Sequence, residues 1–132
     1  MPSVIVALFV LIHGAIHLCY LAPRSPATAD GPIWPFTLDR SWVLLRADTP
    51  AEVMRLIGLA LTSVTFAAFT LAAMSIAGVV PASLTAVALD LGAGSSIALL
   101  VLFFHPWLML GLVIDITLLL AVTVAEWSPT IG

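Results

Sequence analysis

Apolar positions run almost unbroken through four stretches of the chain, and each stretch carries only a few polar interruptions. Residues 2–22 (PSVIVALFVLIHGAIHLCYLA) are interrupted by His13 and His17. Residues 52–77 (EVMRLIGLALTSVTFAAFTLAAMSIA) hold Arg55 and a set of small hydroxyl residues. Residues 82–104 contain Asp90, and residues 107–126 contain Asp115. Each run supplies the ~20 residues that, at about 1.5 Å rise, cross a hydrocarbon core of ~30 Å. The pattern predicts an all-α chain: an integral membrane four-helix transmembrane bundle, folded as a single domain over residues 1–132. Gly78 and Pro81 punctuate the second connection, His105-Pro106-Trp107 leaves room only for a tight hairpin in the third, and Ser128-Pro129 ends the last run.

The remaining connection, 23–51, is the only long one. Its start is rich in proline and aspartate, which argues for loop. Its middle, IWPFTLDRSWVLL, is amphipathic, and Trp34, Phe36 and Trp42 suit the headgroup level of a bilayer. An interfacial segment capping one face of the bundle is the expectation; a plain solvated loop is the alternative. Ala27-Thr28-Ala29 looks like a processing site after a cleavable leader, but no Lys or Arg precedes the first apolar run and two histidines interrupt it, so a retained span is expected. Arg24, Arg40, Arg46 and Arg55 all lie in or beside the long loop. The excess of positive charge on that side places the loop and the His105 hairpin in the cytoplasm and both termini outside, in a multi-pass protein of the cell membrane.

Composition agrees with this reading. The chain is 62% hydrophobic and 8% charged, with mean hydropathy +1.22, whereas a soluble domain is roughly 45–50% apolar. The lipid bilayer is therefore the expected partner. Four arginines, no lysine and a net charge of −3 leave no basic patch for nucleic acid. Cys19 stands alone, so it forms no internal disulfide and reads as a small apolar filler.

The embedded polar groups carry the functional signal, because a carboxylate at membrane depth costs about 2.5–3.5 kcal/mol and usually faces a bundle interior. His13 and His17 are four residues apart and share one helix face, with Tyr20 and Arg24 continuing toward the loop side. Counting helical rise from the loop side puts His13 and Asp115 at a common depth of about 13 Å, and Asp90 near 22 Å. Arg55, Gly58, Thr62 and Thr65 form a stripe of polar and small residues on the second run. Trp107, Gly111 and Asp115 share a face of the fourth run, with Glu126 further along. Asp90, Gly94 and Ala98 share one on the third, where Asp90 is expected to accept hydrogen bonds near Ser95 and Ser96.

Three functions follow from such an interior. The first is a pocket for a small lipophilic molecule, with Asp115, His13 and His17 as acid–base residues and Arg55, Asp90, Tyr20, Trp107 and Thr62 lining the binding site. No nucleophile motif, phosphate loop or cofactor fingerprint accompanies them, so the cofactor is open. The second is a structural or partner subunit of a membrane complex, in which the polar groups only fix helix register; a homo-oligomer is a related possibility. The third is a metal or haem site using His13 and His17, completed by His105 and Asp115.

Three pieces, HGAIHLCYLAP at 13–23, LDRSW at 38–42 and FHPWLMLGLVID at 104–115, resemble small four-helix membrane proteins of the DoxX-like kind. The resemblance touches all but the two middle spans. It implies four helices around a fixed polar site. Some DoxX-like proteins are linked to quinone-side sulfur oxidation, but no residue-level redox motif in this chain carries that activity across.

Overall fold

The computed structural model describes residues 2–22 and 34–124. The expectations for Arg24, for 27–29 and for the chain beyond 124, Glu126 included, lie outside the described residues. Among the described residues all regular structure is helical. Helix α1 is Pro2–Ile16, α2 is the short Trp42–Arg46, α3 is Ala51–Ile76, α4 is Thr85–Leu102 and α5 is Met109–Thr123. Three 3-10 turns extend them: His17–Leu21 after α1, Ala82–Leu84 before α4 and Pro106–Leu108 before α5. With these turns, four segments are long and apolar enough to cross a membrane: Ser3–Leu21, Ala51–Ile76, Ala82–Leu102 and Pro106–Thr123.

Local chemistry sets the ends. Ala22 is extended (ψ 133°), as a residue before proline prefers, so the 3-10 turn stops there. Helix α3 closes in a Schellman arrangement: Gly78 takes φ 74°, its N–H reaches the carbonyl of Ser75, and the Val79 N–H reaches that of Met74. Ser75 then clasps the connection, donating to the Pro81 carbonyl at 2.8 Å and sharing a 2.7 Å bond with Thr85. At the other hairpin, His105 precedes Pro106 and its imidazole Nδ1 accepts from the Trp107 N–H, so this histidine caps the turn that starts the last helical segment.

Helix α3 packs against α1 and α4, and α5 packs against α4. One face of each of these four helices is buried. On α3 it runs through Met54, Gly58, Thr62, Thr65, Phe69, Ala72 and Ile76, the spacing of an apolar stripe on a 3.6-residue helix. On α4 it runs through Ala88, Leu89, Gly92, Ala93, Ser96 and Leu99. The remaining faces carry large exposed apolar side chains, among them Ile5, Leu56, Val87 and Leu110, far more than a water-facing surface normally leaves uncovered.

Residues 34–46 fold over one end of the bundle. Leu38 is buried and fills the space over Gly58. Phe36 meets Tyr20 edge to face at 5.3 Å. The Trp42 indole donates to the carbonyl of Val101 at 2.7 Å, satisfying one of the carbonyls that the last turn of a helix leaves without an internal partner. The capping expected of the long loop thus holds for its described part.

Candidate functional site

Helix α1 ends in a way that places two imidazoles against the core. His13 sits in its last turn and His17 opens the 3-10 turn. The final carbonyls of a helix lack helical partners, and a histidine side chain nearby can supply one. His17 Nδ1 does so, donating to the carbonyl of His13 at 3.1 Å. His13 Nε2 reaches across to α5 and bonds Asp115 Oδ1 at 2.7 Å. The two residues that the depth count placed level with one another therefore do meet.

Ser96 of α4 completes the group. Its hydroxyl lies 2.5 Å from Asp115 Oδ2 and 2.7 Å from His17 Nε2. The chain of bonds then closes: His13 to Asp115, Asp115 to Ser96, Ser96 to His17, and His17 back to the His13 backbone. All four residues are buried, Ser96 and Asp115 completely. A buried polar network is favourable only when each member is partnered, and both oxygens of Asp115 are.

Phe69 of α3 forms the apolar floor. Its ring meets His13 edge to face at 5.2 Å and lies tilted 6.5 Å from His17. It fits between helices because glycines face it from both sides. A Cβ at Gly14 would stand 2.7 Å from Phe69 Cβ, and one at Gly92 would stand 2.9 Å from Phe69 Cδ1. Neither helix could approach with a larger residue there. Phe9 stacks on His13 at 6.3 Å, nearly parallel.

The other candidates are placed differently. Tyr20 is buried on the same side as His17, because three residues make one turn of a 3-10 helix. Its hydroxyl has no hydrogen-bond partner. Tyr20 and Arg55 line a cavity of about 370 Å³ beneath residues 36–39, with Phe36, Leu38 and Leu59 as apolar walls and Thr37 and Asp39 among the polar groups. Arg55 is exposed at this mouth rather than turned into the interior. Thr62 is fully buried with its hydroxyl unpartnered.

Asp90 departs from expectation. It is half-buried, its Oδ1 has no hydrogen-bond partner, and neither Ser95 nor Ser96 bonds to it. Ser95 instead bonds Thr65 and its own helix, and Ser96 belongs to the ring. The Asp90–Gly94–Ala98 face is not the inward one: Gly94 has open space where a Cβ would be, and the packed face is set by Gly92 and Ser96. Trp107 also leaves the interior, at 76% exposure. It lies in the 3-10 turn before α5, so the 3.6-residue register of Gly111 and Asp115 does not extend back to it.

The metal reading does not fit the residues. His17 uses both ring nitrogens and His13 its Nε2 in hydrogen bonds, while His105 stands apart, capping its own turn. Among the described residues no group of three or more His, Cys, Asp or Glu is arranged to hold a metal ion.

Sequence reasoning did not select Ser96 or Phe69 as members of the site. A signal existed for Ser96: it follows Gly92 by four residues, so a small residue and a hydroxyl share one face of α4. No family model, curated protein or solved structure matches the chain, so the DoxX-like resemblance stands on the three short motifs alone.

Proposed function

We propose that this protein is a multi-pass membrane protein that binds a small lipophilic molecule through the mouth cavity, above a buried His13–Asp115–Ser96–His17 ring. The observation that carries the reading is the cavity itself. Its volume of about 370 Å³ falls within the ~300–1,000 Å³ range of small-molecule sites. Apolar and polar surface line it in about equal measure, and two polar groups at it lack partners among the described residues: the buried Tyr20 hydroxyl and the exposed Arg55 guanidinium. A ligand with an apolar body and an oxygen-bearing head matches that lining. The exposed apolar faces of the helices and the arginines around the long loop favour a bilayer setting with loop 23–51 in the cytoplasm. His17, one 3-10 turn from Tyr20, is the ring member through which cavity and ring would communicate. Acid–base chemistry by His17, His13 and Asp115 would need a ligand reaching past Tyr20.

Dodecanoate and dodecanol are suitable probes, with the emission of Trp34, 5.5 Å from Phe36, as the reporter. Saturable binding of dodecanoate is expected, weakened about tenfold in Arg55→Ala through loss of a charge-assisted bond. The absence of saturable binding by either probe would remove this reading. A second reading, a structural subunit, draws on the closure of the ring, whose bonds all turn inward on one another; it predicts a co-purifying membrane partner and an empty mouth.

A further inference from the structure

The ring contains four hydrogen bonds, and each needs one hydrogen between its heavy atoms. The carbonyl of His13 can only accept, so His17 Nδ1 carries a hydrogen. A neutral imidazole has one N–H, which leaves His17 Nε2 as a bare acceptor. Ser96 Oγ lies 2.7 Å from that nitrogen and 2.5 Å from Asp115 Oδ2. A single hydroxyl hydrogen cannot fill both contacts. With Asp115 ionised and His17 neutral, one of them would set two lone pairs face to face. A second proton on His13 gives no relief, because its Nε2 already serves Asp115 Oδ1 and its other nitrogen takes no part in the ring.

We infer that the ring is a proton-binding site, holding one proton beyond those supplied by a carboxylate, a serine and two neutral imidazoles. Two arrangements satisfy every bond. In one, Asp115 is a carboxylic acid donating from Oδ2 to Ser96, and Ser96 donates to His17 Nε2. In the other, His17 is an imidazolium donating from Nε2 to Ser96, and Ser96 donates to the Asp115 carboxylate. They interconvert when the Asp115 proton passes to Ser96 as the Ser96 proton passes to His17, with none entering or leaving. Both arrangements carry zero net charge, whereas the state with one proton fewer leaves an uncompensated charge in a buried place, which is strongly unfavourable. Among the described residues the surroundings add no competing charge: α3 contributes Phe69, α1 and α5 contribute the ring members themselves, and Asp90 of α4 lies six residues from Ser96, about 9 Å along the helix, without a bond to the ring.

The test is made on the full chain in mild detergent at pH 7, with 15N-labelled histidine followed by NMR and the Asp115 carboxyl followed by infrared difference against Asp115→Asn. Either a protonated carboxyl with neutral His17, or a carboxylate with doubly protonated His17, is expected. A carboxylate beside a neutral His17 would overturn the inference. The amide in Asp115→Asn reproduces the acid arrangement with no extra proton: its NH₂ donates to Ser96 and its carbonyl accepts from His13. That variant should therefore fold, with an unfolding equilibrium within about threefold of the parent and both imidazoles neutral. If it folds and His17 is nevertheless doubly protonated, the imidazole takes its proton independently of the carboxyl, and the inference fails. Ser96→Ala removes the bridge while keeping a small side chain. The 15N resonance of His17 Nε2 should then shift as it loses its Ser96 partner, and an unchanged His17 spectrum would sink the relay.

Discussion

The ring and the mouth cavity are neighbours in sequence, since His17 and Tyr20 belong to the same 3-10 turn, yet they treat buried polar atoms in opposite ways. At the ring, three helices contribute side chains whose hydrogen-bonding atoms meet one another, and a fourth helix closes the floor with Phe69. At the mouth, the Tyr20 hydroxyl is buried without a partner, and Arg55 waits beside a cavity. A completed network favours one packing of the helices and resists solvent. An incomplete one is less stable as it stands and gains most from a molecule that supplies the missing bonds. Cohesion therefore belongs to the first region, and under the proposed function recognition belongs to the second.

Substitutions can break or sharpen this contrast. The largest effect is expected at the ring. Asp115→Ala leaves His13 and Ser96 facing a void and should lower stability by about 3 kcal/mol, the combined cost of a cavity and of buried polar groups left without partners; equilibrium unfolding in detergent followed by circular dichroism measures it. A loss under about 1 kcal/mol would mean that the ring contributes no more than an average interhelical bond in a membrane protein. Next comes the floor. Gly14→Ala presses a methyl against Phe69 Cβ, and backbone rather than a flexible tip must move, so about 2 kcal/mol should be lost, with weaker His13 to Asp115 coupling in a double-mutant cycle. The smallest change, of opposite sign, belongs to the mouth. Tyr20→Phe deletes an unpartnered buried hydroxyl and should leave stability equal or higher by up to about 1 kcal/mol, while weakening dodecanoate binding. A destabilised Tyr20→Phe would show that the hydroxyl is already satisfied and would dissolve the contrast.

The two histidines illustrate how far periodicity reaches. Four-residue spacing puts His13 and His17 on one face, and counting rise from each end puts Asp115 level with His13; the 2.7 Å bond confirms that meeting. The same arithmetic misplaces Trp107 and misreads the inward face of α4. Around the axis, a 3-10 residue advances about 120° and an α-helical residue about 100°. A single 3-10 turn before α5 is thus enough to carry Trp107 off the face of Asp115. On α4 both candidate faces hold small residues, and hydrophobicity alone does not separate Gly94 from Gly92. Contact with Phe69 does, since that ring needs a neighbour without a Cβ.

What the chain determines by itself is therefore linear and local. Runs of apolar residues set the number and length of the helices, proline and glycine set where they stop, and spacing decides which side chains share a face. The tertiary structure alone decided which face turns inward, that Ser96 rather than Asp90 joins His17 to Asp115, and that Arg55 guards a mouth instead of lining a core. The physical reason is that rotation about a helix axis changes no local energy worth noting. It is settled only when a phenylalanine between two glycines, and four mutually bonded polar groups, find one arrangement in which all of them fit.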